Sequence, residues 1–166
     1  SVFIRSDCGA IREGSRCTSA GAIMQHAATL QLILHGAIIA LIGTLCGIPF
    51  GRAIVGRKDE AIVRGWRVAH TGILSTGVAI VVMGLALPHL KGSPSLVNAM
   101  VWATIVSGYA FAIGLTLGPI VGQRGLRPGA PLANMLVYTG NAIGSLGWLV
   151  ASLIFVWLAL MAAQAG

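Results

Sequence analysis

One histidine, His70, lies inside a segment whose composition suits a lipid bilayer. It belongs to residues 65–77, GWRVAHTGILSTG, which open a long apolar run. An ionisable side chain at membrane depth is costly, so it usually marks a functional site whose partner must be identified. Neutral imidazole is a good ligand for haem iron, and one protein ligand leaves the opposite axial position open for a small molecule. A lone buried histidine can also be a hydrogen-bonded core residue, and the sequence leaves this open, but in lipid these residue types favour a haem site with His70 as the axial ligand of the iron.

Glycines follow His70 at intervals of seven residues along the same predicted helix. Gly77 and Gly84 leave the helix face below the imidazole without side chains. Such a face accepts either a neighbouring helix at close range or a flat macrocycle, and the sequence leaves both open. We expect Gly77 to contribute to the cofactor site.

Two further residues are candidates for the same site. His35 lies within the first predicted helix and is either an interhelical hydrogen-bonding group or a cofactor contact. Arg124 lies in the Gly- and Pro-rich connection 118–131, and its guanidinium offers paired donors that suit carboxylates such as haem propionates. A positively charged cytoplasmic connection explains the same arginine without any site.

Other kinds of chemistry have little support in the sequence. All acidic residues lie outside the apolar runs: Asp7, Glu13, Asp59 and Glu60. Their position disfavours acid–base hydrolysis and ion transport coupled to buried carboxylates. The cysteines Cys8, Cys17 and Cys46 form neither a CxxC nor a CxxCH pattern, which excludes covalent attachment of a c-type haem.

The composition is that of an integral membrane protein, with 56% hydrophobic and only 9% charged residues and a mean hydropathy of +0.87. Asp, Glu, Lys and Arg are absent from four windows: residues 17–51, 68–90, 92–123 and 128–166. Each window exceeds the roughly 20 residues that a helix needs to cross the bilayer. We predict an all-α fold, a bundle of four membrane-spanning helices at about 27–50, 66–87, 96–117 and 132–161.

The positive charges predict how the bundle is oriented. Most of them lie in or beside the first and third connections: Arg52, Arg57, Lys58, Arg64, Arg67, Arg124 and Arg127. By the positive-inside rule these connections are cytoplasmic and both termini are outside, in what we expect to be a bacterial inner membrane. Topology and anionic lipids account for the net charge of +7, so no nucleic-acid partner is expected. We assign residues 24–166 to the haem-binding domain and residues 1–23 to an N-terminal extension.

The segment around His70 resembles the signature of the styrene oxide isomerases, a family of small membrane enzymes. Their second helix reads GW-x-R-A-H-x-G. The resemblance reaches from Met24 to the C-terminus and includes these further matches: M-x-H-A at 24–27, His35–Gly36, Leu87–Pro88, and Gln-Arg-Gly-Leu at 123–126.

The resemblance implies a haem b protein, assembled as a homotrimer with the haem near the protomer contacts. His70 would be the axial ligand, and no catalytic group beyond the iron is assigned. The implied reaction is a Meinwald rearrangement, in which ferric haem acts as a Lewis acid and a small apolar epoxide becomes an aldehyde.

The sequence departs from the family at three positions that are expected to orient the substrate oxygen. Thr76 stands where the family motif has Asn, and Phe111 and Leu115 replace an Asn and a Tyr on the third helix. Two other functions therefore stay open. One is a b-type cytochrome with His35 or His26 as second axial ligand, and the other is a non-catalytic membrane subunit of a larger complex.

Overall fold

The structure, a computed structural model, describes the backbone of residues 7–90 and 92–164 and the side chains from residue 23 onward. It consists of five α-helices and one short 3-10 turn: α1 (Asp7–Leu45), α2 (Gly47–Val55), α3 (Glu60–Ala86), the 3-10 turn (Leu87–His89), α4 (Pro94–Val121) and α5 (Leu132–Gln164).

Four helical stretches are long and apolar enough to cross a membrane: Ile23–Val55, Glu60–His89, Pro94–Val121 and Leu132–Gln164. The first combines α1 and α2, which are separated only by Cys46. The interruption has a local cause, because Pro49 has no N–H to donate to the carbonyl of Leu45. The predicted all-helical bundle of four spans is confirmed, and the chain is an integral membrane protein.

The first apolar span begins at Ile23, close to the predicted start near residue 27, but the helix that contains it extends further toward the N-terminus. α1 begins at Asp7. Residues 7–22, which precede the apolar span, include most of the polar residues of α1. They contain no proline that would end a helix, so the backbone can extend the helix formed by the span.

Small residues bring α1 and α3 into backbone contact. A Cβ atom added at Gly77 would lie 2.3 Å from the backbone nitrogen of Ala40, and one added at Gly43 would lie 2.3 Å from that of Leu74. Helices that associate within lipid use such residues to approach closely, since dispersion contacts and hydrogen bonds replace the hydrophobic effect there.

A second close pair is formed by α4 and α5. Gly140 faces Gly114 so closely that an added Cβ would lie 3.0 Å from the Cα of Gly114. The buried hydroxyl of Ser107 donates to the carbonyl oxygen of Gly144 and joins the two helices. The outer surface of α5 stays apolar and uncovered: 11% of its most apolar stretch is buried, against 44% for α4. Lipid or another copy of the chain must cover α5.

The N-terminal half of α3 meets the C-terminal half of α4 at one end of the bundle. A Cβ added at Gly65 would lie 2.9 Å from the Cβ of Pro119. Helix α4 then ends at Val121, and the next residue, Gly122, adopts the left-handed conformation that favours glycine. The connection from α4 to α5 folds back over α5 at Gly125, where an added Cβ would lie 2.6 Å from the backbone nitrogen of Tyr138.

Candidate functional site

The imidazole of His70 is held by a hydrogen bond across the α1–α3 contact. Its Nδ1 lies 2.8 Å from the carbonyl oxygen of Gly43. A carbonyl oxygen can only accept, so Nδ1 carries a proton, and in the neutral imidazole Nε2 keeps its lone pair. Metal-binding histidines commonly donate their second ring N–H to a carbonyl or carboxylate in this way. The imidazole is therefore oriented and in the tautomer that binds a metal through Nε2.

On the side of α2, glycine and one aromatic ring lie next to His70. A Cβ added at Gly47 would lie 3.3 Å from the imidazole Cε1, and no described atom lies within 4 Å of one added at Gly51. Phe50 stacks on the imidazole, with 6.2 Å between ring centroids and 24° between planes. The guanidinium of Arg67 lies 5.8 Å from the centroid of Phe50. We call these residues, together with Gly43, the His70 cluster.

The His70 cluster lies at the edge of the bundle rather than at its centre. Ala69 and Ile73 beside it on α3 are fully buried. Arg67 and Thr71 are exposed, and His70 itself is partly buried. Part of the imidazole is therefore accessible from outside a single chain.

Gly77 lies two helical turns beyond His70 and is covered by α1. Its buried surface faces Ala40 and the carbonyl oxygen of Gly36. The sequence allows either a neighbouring helix or a macrocycle against this face, and in the structure helix α1 lies there. The contact of Gly77 with a cofactor stays a prediction.

His35 on α1 forms a hydrogen bond with α4, away from the His70 cluster. Its Nδ1 lies 2.9 Å from the hydroxyl oxygen of Tyr109 on α4, and the two rings meet edge to face with 5.7 Å between centroids. The interhelical hydrogen bond, one of the two roles left open for His35, is thus present. His35 precedes Gly43 by eight residues, about 12 Å along the axis of α1, so it lies far from the His70 cluster.

Removing the hydroxyl of Tyr109 should weaken the bundle without affecting any haem site. We expect Tyr109→Phe to lower the free energy of unfolding by about 1 kcal/mol, since one hydrogen bond between membrane helices is lost. Unfolding in mixed detergent and SDS, followed by circular dichroism, measures the change. The matched control is Tyr138→Phe on α5; equal losses in the two variants would contradict the assigned bond.

Arg124 lies in a different part of the molecule, at a cleft of about 380 Å³. The cleft is formed by the first turns of α3, the last turns of α4, the following connection and α5. Arg64 and Arg124 are exposed at its rim, whereas Leu115 and Asn141 lie deeper. Its remaining lining is mostly apolar: Ala61, Ile62, Gly65, Val68, Gly114, Gly118, Pro119, Gly122, Gln123, Leu126 and Val137.

Helix α3 separates this cleft from His70 within one chain. Gly65 and Val68 line the cleft, and Gly72 continues the same face against Leu115. His70 follows Val68 by two residues, about 200° around the helix. The structure therefore does not bring Arg124 and His70 together in one copy.

The three positions that depart from the family motif have separate environments. The hydroxyl of Thr76 donates to the carbonyl oxygen of Gly72. The ring of Phe111 packs against Gly144. Leu115 lines the cleft, close to Asn141. Only the position of Leu115 thus faces an open space.

Sequence reasoning missed three features of these sites. The Gly43 carbonyl and the Phe50 ring both contact His70, but a backbone acceptor has no sequence signal and Phe50 looks like any apolar residue. The third is Asn141, which lies in the last charge-free span. Its signal was available, because an amide within a charge-free span needs a partner.

Comparison with known proteins gives one match. A family model described as styrene oxide isomerase matches residues 28–160. No curated protein and no solved structure matches the chain. Among the described side chains of residues 23–90 and 92–164, moreover, no three His, Cys, Asp or Glu groups converge on a common point where a bare metal ion would be held.

Proposed function

Because the chain belongs to the styrene oxide isomerase family, we propose that it is a membrane enzyme that isomerises an epoxide to an aldehyde with haem b as cofactor. Family membership supports the reaction class. The single structural observation that supports the cofactor is the hydrogen bond from His70 Nδ1 to the Gly43 carbonyl.

The residues of the His70 cluster fit a haem. Nε2 of His70 has no hydrogen-bond partner among the described residues, and Gly47 leaves room for the imidazole itself, since a Cβ there would lie 3.3 Å from Cε1, while Gly51 on the same helix has no side chain that would crowd a bound ring. Arg67 is exposed one turn before His70 and is better placed than Arg124 to bind a carboxylate of the same haem. His70, Gly47, Gly51 and Arg67 are therefore the residues that we propose to hold the cofactor.

The reaction breaks one C–O bond of the epoxide and moves a hydride to the neighbouring carbon, without net oxidation or reduction. Bound ferric haem supplies a Lewis acid for the epoxide oxygen. The protein orients the imidazole through Gly43 and Phe50. Its apolar spans exclude water, which would otherwise convert the epoxide to a diol.

The geometry argues against a b-type cytochrome that uses His35 or His26 as second ligand to the same iron. His35 is bonded to Tyr109 and lies about 12 Å along α1 from the residue that binds His70. His26 lies still further along α1 and is exposed. Within a single chain, neither histidine would therefore reach a cofactor that His70 would hold.

We further propose that the chain assembles as a homotrimer whose α2–α3 and α4–α5 connections face the cytoplasm. The family resemblance implies the trimer. The outward face of the His70 cluster and the uncovered surface of α5 leave room for protomer contacts. The positive charge at one end of the bundle supports the orientation.

The optical spectrum and an epoxide panel test the proposed function together. We expect purified, haem-loaded protein to show high-spin ferric haem and to convert at least one aryl or alkyl epoxide to its aldehyde. Haem-free protein is the control and should give none. A low-spin spectrum typical of two histidine ligands, or no aldehyde from any epoxide, would overturn the proposal.

A further inference from the structure

Two arginines lie at the mouth of the cleft between α3, α4 and α5, and the proposed haem site uses neither of them. Arg64 belongs to α3 and Arg124 to the connection that follows α4, and both are exposed. No Asp or Glu is found among the described residues that line the cleft. Arg64 pairs with Glu60 one turn earlier, but an exposed pair of this kind contributes little. The mouth of the cleft is therefore positively charged and can bind an anion.

The charged mouth and the apolar interior of the cleft lie at different depths of the membrane. Val68 is the first residue of a charge-free stretch that continues to residue 90, so the hydrocarbon region begins close to it. Arg64 precedes Val68 by one turn, about 6 Å along the helix axis. Leu115 and Val137 continue the apolar walls on the neighbouring helices. A ligand that fills the cleft therefore has an anionic group at the depth of the lipid headgroups and an apolar group below it.

The cleft is open toward the bilayer as well as toward water. Two residues of its lining, Val68 and Leu126, are 47% and 76% exposed on the surface of the chain. Its volume of about 380 Å³ falls within the range of pockets that hold small organic molecules, about 300–1,000 Å³. The space therefore suits a segment of an acyl chain that enters from the side of the membrane.

We propose that the cleft binds an anionic phospholipid, with an acyl chain between the apolar walls and the phosphate at the rim, where Arg64 and Arg124 bind it. A guanidinium suits this role because it offers paired donors to phosphate oxygens. Basic pockets between membrane helices bind anionic headgroups in this way. One arginine comes from α3 and the other from the α4–α5 connection, so the bound lipid joins these two parts of the bundle.

A photoreactive phospholipid tests the site in nanodiscs, with a diazirine on its acyl chain and cross-links mapped by mass spectrometry. The probe is phosphatidylglycerol, and phosphatidylcholine with the same chains is the neutral control. We expect phosphatidylglycerol to label residues 61–68 and 114–126 about 25-fold more strongly, since each arginine contributes about fivefold. Equal labelling by the two lipids, or labelling confined to other residues, would overturn the proposal.

Charge-removing variants test the two arginines. Arg64→Gln and Arg124→Gln should each lower labelling by phosphatidylglycerol about fivefold and leave labelling by phosphatidylcholine unchanged. Arg127→Gln is the matched control, because it removes the same charge from the same connection at an exposed residue outside the cleft lining. It should change neither. An equal loss in all three variants would indicate only a general attraction to anionic lipid and would refute the assigned contacts.

The apolar part of the site is tested separately from the charge. Val68→Trp places a larger side chain at the wall of the cleft and should reduce labelling by both lipids, with circular dichroism showing that the bundle is folded. Inorganic phosphate presents the anion without the acyl chain and should not compete with phosphatidylglycerol. Competition by phosphate as strong as that by unlabelled phosphatidylglycerol, or full labelling of folded Val68→Trp, would contradict the role of the apolar walls.

This site and the proposed function fail separately. Haem-free His70→Ala protein should be labelled as strongly as haem-loaded protein, because His70 lies about 200° around α3 from Val68. Labelling that haem loading abolishes, or loss of haem from Arg124→Gln, would assign the cleft to a haem held by a neighbouring copy and would overturn the lipid site. Cleft labelling by phosphatidylglycerol in a protein that binds no haem and forms no aldehyde would refute only the proposed function.

Discussion

His70→Ala should abolish haem retention and epoxide isomerisation while the bundle stays folded in the membrane. Loss of a hydrogen-bonding partner behind a metal ligand already costs roughly 10- to 100-fold in affinity or activity, so loss of the ligand itself should cost more than about 100-fold. The alanine leaves the α1–α3 contact in place because Gly43, Leu74 and Gly77 are unaffected. The Soret absorbance relative to protein, aldehyde formation and circular dichroism measure the three quantities.

Two histidine variants serve as controls for this prediction. His26→Ala changes an exposed residue, and His35→Ala removes the partner of Tyr109; both should keep the haem. Added imidazole should restore part of the absorbance to His70→Ala, because it can occupy the space that the side chain leaves. An unaltered haem spectrum in His70→Ala would refute the ligand assignment.

Gly77→Val should destabilise the bundle more than any other single substitution predicted here. The first added carbon would lie 2.3 Å from the backbone nitrogen of Ala40, and a backbone atom cannot rotate away as a side chain can. Overpacking of a core typically costs about 1–3 kcal/mol. Because two whole helices must separate here, we expect the upper end of that range or more, measured as the free energy of unfolding in SDS mixtures.

Gly51→Ala is the matched control for packing. It adds a carbon to a helix of the same bundle, but no described atom lies within 4 Å of the new Cβ. Alanine is favoured over glycine in a helix by about 1 kcal/mol, so this variant should be at least as stable as the parent. If Gly77→Val unfolds like Gly51→Ala, the close α1–α3 contact is refuted.

The membrane fold could be predicted from the sequence because it depends on a one-dimensional property. The length and apolar composition of a stretch decide whether it can span the bilayer. Residues 68–90 carry no charge and are long enough to span it, whatever the rest of the chain contains. The start of α1 at Asp7 could not be predicted in the same way, since polar residues outside the bilayer can be helical or extended.

The surroundings of the candidate site depend on how the helices pair, which the sequence does not specify. Glycines at intervals of seven residues suit a helix and a macrocycle equally. Only the α1–α3 contact places α1 over Gly77 and the Gly43 carbonyl beside His70. The chemistry of Arg124 made it a candidate for binding a haem carboxylate, with positive-inside charge as the other explanation, but the packing of α3 against α4 puts it on the other side of α3 from His70.

Gly43 combines two properties that cannot be varied independently. Its missing side chain lets α1 and α3 touch, and its carbonyl oxygen fixes the ring plane of His70. Membrane helices adjust their tilt to the thickness of the surrounding lipid. Any lipid that changes the tilt between these two helices therefore also turns the imidazole, so acyl-chain length becomes a variable that acts on the chemistry of the protein.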